Sequence, residues 1–256
     1  MDHFGASLTI GLVDVGERAL LPNSNFHNIL DDFSKPDLAL LAKQTKKRRS
    51  EIVAGRTLAK HLICQKFNLP WRSVKMGLDL KRRPSCRFIK EAKDLMANRV
   101  ISFNISHSND LVGCALADFA VGFDLERVVP RIFLKRIARR YFSSAEFINW
   151  ERTNFSVTYF YRIWTLKEAY LKKNSRSVWQ IKQVPSFILQ DFVLRKTHSH
   201  FLNLKFTITP NSDKKKDIYM LAVAADREFE LVIAQKFWPN NINRGVLSGI
   251  AELKCG

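Results

Sequence analysis

Asp124 and Glu126 stand two residues apart in Val121-Gly122-Phe123-Asp124-Leu125-Glu126, and Glu168 and Lys172 stand four apart in Trp164-Thr165-Leu166-Lys167-Glu168-Ala169-Tyr170-Leu171-Lys172. Three carboxylates and an ammonium are the groups needed to hold Mg²⁺ and to neutralise a polyphosphate. On a strand, the D-x-E spacing puts Asp124 and Glu126 on one face and Phe123 and Leu125 on the other. Like charges so placed repel, and acidic residues are depleted in strands. A divalent cation with oxygen ligands would remove the conflict. The competing reading is an exposed strand with paired surface charges, Arg127 included, since a lone D-x-E is common. On a helix, Trp164, Glu168 and Lys172 share a face. Taken alone, Glu168 and Lys172 are an i,i+4 surface pair of about 0.3–0.5 kcal/mol.

A histidine precedes this acidic segment, in Asn104-Ile105-Ser106-His107. With the basic Lys81-Arg82-Arg83 brought near, it would make a phosphate pocket; otherwise it is a partly buried hydrogen-bonding residue. Ser106 beside His107 does not make a hydrolase, because there is no G-x-S-x-G and sequence neighbours seldom have triad geometry. Ser143 and Glu146 form S-x-x-E before a helical pattern, which is a capping box. Neither G-x-x-x-x-G-K-S/T nor G-x-G-x-x-G occurs, so P-loop and Rossmann readings have no support.

The elements that must position these groups alternate in type. Residues 7–15 read as a strand and 22–36 as a loop with a short helical piece. The pattern over 37–67 is helical, with apolar Ile52, Leu58, Leu62 and Ile63 and the basic run Lys46–Arg49. Residues 79–87 should be a loop, and 100–105 and 111–117 strands joined by a polar turn that contains His107. A strand over 120–126, helices over 131–142 and 144–172, and short strands near 186–194, 202–208, 218–224 and 229–235 follow. The last 20 residues are weakly patterned. Strand-rich and helix-rich stretches thus occur twice, before and after residue 119, which suits a pseudo-duplicated α+β architecture.

The chain has 256 residues, 46% hydrophobic and 26% charged, a composition able to bury a core. Its net charge of +18 attracts anions and acidic partners. No apolar run is long enough for a transmembrane helix, and the N-terminus lacks the layout of a signal peptide. Cys64, Cys86, Cys114 and Cys255 are far apart, as in a cytoplasmic protein with reduced thiols. The charge also suits a basic nucleic-acid-binding protein. That reading leaves Asp124, Glu126 and Glu168 unexplained; a Mg²⁺-dependent nuclease or phosphohydrolase is a third option.

Taken in order, the segments resemble those of the 4′-phosphopantetheinyl transferases of the surfactin and enterobactin synthase type. Phe103-Asn104-Ile105-Ser106-His107 resembles their F-N-(I/V)-S-H, and Gly122-Phe123-Asp124-Leu125-Glu126 their G-(I/V)-D-(I/V/L)-E. Trp164–Lys172 resembles (F/W)-(S/T)-x-K-E-(A/S)-x-x-K, and Arg140–Glu146 resembles the stretch between the last two. Lys47-Arg48-Arg49-Ser50-Glu51 and Ala54-Gly55-Arg56 are similar to K-R-R-x-E and A-G-R of the enterobactin synthase component D subgroup. Where that family often has Gly-Lys-Pro before the histidine segment, this chain has Arg82-Arg83-Pro84.

The resemblance implies a two-halved α+β fold, each half a small antiparallel sheet packed with helices. Residues 1–119 would bind the nucleotide of coenzyme A, and 120–256 would carry the metal site and catalytic helix. The implied reaction is Mg²⁺-dependent transfer of phosphopantetheine from coenzyme A to a serine of an acidic apo acyl, peptidyl or aryl carrier protein. It would serve siderophore, nonribosomal peptide or polyketide synthesis, with no specific nucleic-acid partner and a monomeric enzyme. Asp124, Glu126 and Glu168 would hold Mg²⁺, and Lys172 would stabilise phosphate charge. Arg49, Arg56, Asn104, Ser106, His107 and the Lys81, Arg82, Arg83 cluster would bind coenzyme A, with Asp124 and Lys172 touching its pyrophosphate. The general base would be Glu168 or Glu146; Glu168 is favoured because capping already accounts for Glu146.

Overall fold

Alternation of apolar and polar residues builds β1, Ser7–Asp14, whose Leu8, Ile10 and Leu12 are fully buried. The computed structural model describes residues 6–15, 29–79, 82–187, 189–190, 193–194, 200–208 and 216–234. Those up to Phe119 and from Phe229 onward form one compact unit, and those from Ala120 to Glu228 form a second.

In the first unit, the expected helix over 37–67 is two: α1, Lys35–Ala42, and α2, Lys46–Lys66. The break falls at Thr45, whose hydroxyl accepts from Arg48 N at 3.2 Å and caps α2. The expected loop over 79–87 holds half of a hairpin, β2 (Val74–Leu78) with β3 (Pro84–Phe88), followed by α3, Lys90–Met96. Short strands rich in basic residues and opened by a proline carry little apolar alternation, which hid them. Next come β4, Ser102–Ser108, and β5, Leu111–Ala117. Their turn is only Asn109-Asp110, with Asn109 at φ 56°, so His107 lies inside β4 and not in a turn. The sheet runs β11-β1-β5-β4, with β11 (Glu230–Ile233) parallel to β1. That pairing takes β11 out of the expected second half, 120–256, and makes this sheet mixed rather than purely antiparallel. Helix α2 covers the sheet, packing Leu58, Leu62 and Ile63 against Cys114, Leu116, Val74 and Met76.

In the second unit, β6 (Val121–Arg127) pairs with β10 (Asp217–Ala225), and β10 with β9 (His200–Ile208), all antiparallel. Between them lie α4 (Leu134–Tyr141), α5 (Ser144–Arg152), α6 (Val157–Lys173) and a short hairpin, β7 (Leu189–Gln190) with β8 (Val193–Leu194). The single helix expected over 144–172 is split by Asn154 and Phe155, both at positive φ, and restarts at Ser156, which caps α6. Helix α6 lies on the sheet. Leu166 and Ala169 meet Ala222 and Ala224, while Phe160 and Ile163 join Trp150, Phe142 and Met220. The weakly patterned last 20 residues lie outside the described residues.

Candidate active site

Gly122 fixes the geometry of the acidic cluster. A Cβ there would lie 1.9 Å from Ala169 O and 2.4 Å from Lys173 N, so the backbone of α6 rests directly on β6. Its φ is not positive; the glycine is needed for space, not for conformation. By strand alternation Asp124 and Glu126 lie on the same, helix-facing side of β6. The close approach at Gly122 thus brings the last two turns of α6 onto Asp124.

There Lys172 Nζ donates to Asp124 Oδ1 at 2.7 Å, and Asp124 is only 4% exposed. Glu168 stands close enough to feel both. Burial foremost, then repulsion from the Asp124 carboxylate, pushes its carboxyl up to about 7 against the pull of Lys172. Glu126 acts about two turns back along α6, at Tyr161, seven residues before Glu168. Burial pushes the Tyr161 hydroxyl up, and Glu126 adds to the rise while Arg131 opposes it. Among the described residues no three Asp, Glu, His or Cys side chains already form a closed metal-ligand cluster. The donor set still fits a hard divalent cation: oxygen ligands only, and a buried and a partly buried carboxylate whose mutual repulsion a cation would relieve.

Glu146, the alternative base, is spoken for. It is fully buried, and its Oε2 accepts from Ser143 N at 2.7 Å while its Oε1 accepts from Phe187 N at 2.8 Å. Lys167 Nζ lies 3.1 Å from Oε2. The capping box is present, and the carboxylate, held by these three donors and fully buried, has no access for a substrate proton.

In the first unit, Glu51 Oε2 lies 3.2 Å from His107 Nδ1 and 3.1 Å from Arg48 Nη1, and Arg48 Nη1 also meets His107 Nε2. A guanidinium only donates, so Nε2 must offer its lone pair, which assigns the ring hydrogen to Nδ1 facing Glu51. Lys47 Nζ reaches Asp110 at 3.0 Å across the β4–β5 turn. The basic residue beside the histidine is therefore Arg48; Arg49, expected for this role, is exposed on the outer side of α2. Helical phase could have found this. Arg48 is seven residues before Gly55, where a Cβ would come 2.7 Å from Ile105 Cγ2, so both face the sheet, whereas Arg49 is turned about 100° away. Glu51 went unremarked for the same reason.

The other expected ligands of coenzyme A are dispersed. Ser106 and Asn104 lie on the face of β4 opposite His107. Arg56 is 6% exposed, its guanidinium 4.2 Å from the Phe33 ring centre, and its Nε has no hydrogen-bond partner among the described residues. Burial lowers its pKa, with Asp37 opposing. It braces α2 more than it faces solvent. Arg83 is held by Asp79 at 2.6 Å, while Arg82 is exposed at φ 59°; Lys81 lies outside the described residues.

Comparison with known proteins supplies the name for this arrangement. Residues 26–118 match the family model "4′-phosphopantetheinyl transferase, N-terminal", and 120–224 match the 4′-phosphopantetheinyl transferase superfamily. The 4′-phosphopantetheinyl transferase AcpT of Salmonella typhi is 34% identical over 122 residues, 44% of this chain and 64% of that protein. The 4′-phosphopantetheinyl transferase gsp of Aneurinibacillus migulanus is 39% identical over 82 residues, 31% of this chain and 33% of the relative. The chain thus spans under two-thirds of the length of these relatives. AcpT of Escherichia coli K12 is 30% identical over 165 residues, 63% of this chain and 75% of its own length. With two family models on consecutive stretches and a relative matched over most of its length, the chain belongs to the 4′-phosphopantetheinyl transferases.

Proposed function

We propose that this protein transfers the phosphopantetheine arm of coenzyme A to a serine hydroxyl of an apo carrier protein. The serine oxygen forms a bond to the phosphorus of the phosphopantetheine group. The bond from that phosphorus to the bridging oxygen breaks, and adenosine 3′,5′-bisphosphate leaves with the electron pair. The observation that carries the reading is the meeting of Asp124, Glu168 and Lys172 at the Gly122 contact.

Each residue has a task in this chemistry. Glu168, with its carboxyl raised to about 7, is poised to take the serine proton near neutral pH. Lys172 offers positive charge to the phosphate oxygens and holds Asp124 in place. Asp124, Glu168 and Glu126 would hold Mg²⁺, which when bound supplies Lewis-acid neutralisation of the pyrophosphate. His107 and Arg48, braced by Glu51, would bind a phosphate of the nucleotide, and Ser106, Asn104, Arg82 and Lys81 would serve other parts of coenzyme A. The net charge of +18 draws both coenzyme A and an acidic carrier, of the kinds that serve siderophore, nonribosomal peptide or polyketide synthesis. We place the protein in the cytoplasm. Free Cys64 and Cys86, with thiols pushed up to about 11 by burial, suit a reducing compartment.

The test is direct. The protein, coenzyme A, Mg²⁺ and a panel of apo carrier domains are incubated and the carriers weighed by mass spectrometry. One phosphopantetheine should be gained on at least one carrier, and no gain on any would overturn the reading.

A further inference from the structure

The buried ion pair of Glu146 and Lys167 has no task in the transfer chemistry. Both side chains are shut from solvent, 0% and 1% exposed. Taking two opposite charges out of water roughly cancels their attraction, and apolar residues of the same volume often give equal or greater stability. Burial lowers the Lys167 pKa even though Glu146 pulls it up, which is that desolvation cost at work. Stability is therefore a poor reason for the pair. Direction is a better one.

The Glu146 carboxylate has a fixed orientation. Ser143 N and Phe187 N donate to it, and Ser186 Oγ donates to Ser143 Oγ at 2.8 Å, so it is locked between the start of α5 and the segment 184–187. Lys167 leaves α6 one residue before Glu168 and five before Lys172. One residue is about 100° of helix rotation, so Lys167 reaches the α5 side when Glu168 reaches β6. On the sheet side Gly122, Ala222, Ala224 and Ala169 set how near α6 can come. Arg162 Nε donates to Asn203 Oδ1 at 2.9 Å and Asn203 Nδ2 to Thr165 Oγ1 at 3.3 Å, which ties the helix to β9; Lys167 ties its α5 side. The ion pair on that side, Lys172 with Asp124, belongs to the site itself.

We propose that Glu146 and Lys167 are positioning residues, a polar pin on the α5 side that, together with the Arg162–Asn203 contact on the sheet side, sets the rotation and axial register of α6 so that Glu168 and Lys172 meet Asp124. Its catalytic part rests on the transfer reading above.

The test is the double variant Glu146→Gln, Lys167→Met, which removes both charges while keeping side-chain length. Its thermal melt should stay cooperative. In carrier transfer its kcat should fall at least tenfold while the KM for coenzyme A stays within about twofold, since the first unit is untouched. Phe206→Leu, a core change on the face of β9 turned away from α6, is the control for stability alone: it should melt lower and keep its kcat. Should the double variant not fold, Lys167→Arg keeps the charge with a bulkier head and should lower kcat in the same pattern. A crystal structure of the folded variant reads the pin without reference to activity: Lys172 should leave Asp124. A kcat within twofold of the parent, or an unmoved Lys172–Asp124 contact, overturns the inference. A chain that transfers to no carrier but loses that contact in the variant would sink the transferase reading and leave the pin standing.

Discussion

Both units lay one long helix on a sheet and relieve the closest approach with a glycine, but they place it differently. In the first unit Gly55 sits on the helix and faces the side chains of Ile105 and Val112, at 2.7 and 3.3 Å from an added Cβ. In the second, Gly122 sits on the strand and faces the backbone of α6. Side chains can turn aside; a carbonyl and an amide locked in a helix cannot. The charged groups follow suit. Arg48 and His107 are partly exposed and meet at the buried Glu51 carboxylate, where α2 packs on β4. Asp124, buried, and Glu168, partly buried, are pressed together beneath the backbone contact at Gly122, with Lys172 partly exposed beside them. One unit is built to receive, the other to hold.

The sharpest way to break that contrast is to add one methyl group to each. Gly122→Ala should cost more than about 4 kcal/mol or unfold the second unit, because the clash is with backbone. Gly55→Ala should cost about 0–2 kcal/mol, since overpacking of about 1–3 kcal/mol is offset by about 1 kcal/mol of helix propensity. Chemical denaturation of both variants measures the difference, and equal costs would mean that α6 does not rest on β6 as described.

Next in size is a loss of rate without a loss of fold. Asp124→Ala removes a carboxylate from the pyrophosphate site, and Lys172, partly exposed, can turn to water. Transfer should fall by about 10²–10³-fold or more, a typical loss for one preorganised charge-stabilising group. The melting temperature should move by only a few degrees, about 1 kcal/mol. Near-parental rates at saturating Mg²⁺ would remove Asp124 from the metal set.

These contrasts also mark how far the sequence could be read. The D-x-E strand, the Glu168–Lys172 helix face and the Ser143–Glu146 capping box were legible because each depends only on local periodicity or on adjacent backbone groups. The breaks at Thr45 and at Asn154-Phe155 were not: residues 43–51 are polar, mostly good helix formers that carry no breaker, and at 154–155 only left-handed backbone geometry interrupts the pattern. Lys167 was quoted in its motif, but nothing local tells a buried lysine from a solvated one; its partner is 21 residues away in another helix. The choice between Arg48 and Arg49 required the phase of α2, and Gly55 gave that phase only once its packing was known.

That correction yields a smaller, sharper test. If Arg48 beside His107 binds a phosphate of coenzyme A, Arg48→Ala should raise the KM for coenzyme A about tenfold, the loss of one charge-assisted hydrogen bond of about 1.5 kcal/mol. Arg49→Ala, outside the cluster, should change it by less than about threefold through general charge alone. Steady-state kinetics with a single carrier separates the two, and a larger effect at Arg49 would return the role to that residue.

The smallest effect is a pH dependence of stability confined to the second unit. Glu168 has a folded-state carboxyl near 7, against an ordinary value of 4.5. A raised carboxyl pKa means that the protonated form is the one the fold favours. Its contribution is fully present below pH 4.5 and is lost as pH rises through about 7. Glu168→Gln keeps a neutral side chain at every pH. In EDTA the variant and parent should therefore melt together at pH 4.5 and separate by pH 8, the variant the more stable by about 1–2 kcal/mol once partial solvent screening is allowed for. Adding Mg²⁺ should reverse the order, because a cation between Asp124 and Glu168 rewards the charge that burial penalises. A gap that is flat from pH 4.5 to 8 would show that Glu168 is not crowded by Asp124. The closed second site would then be as open to solvent as the first.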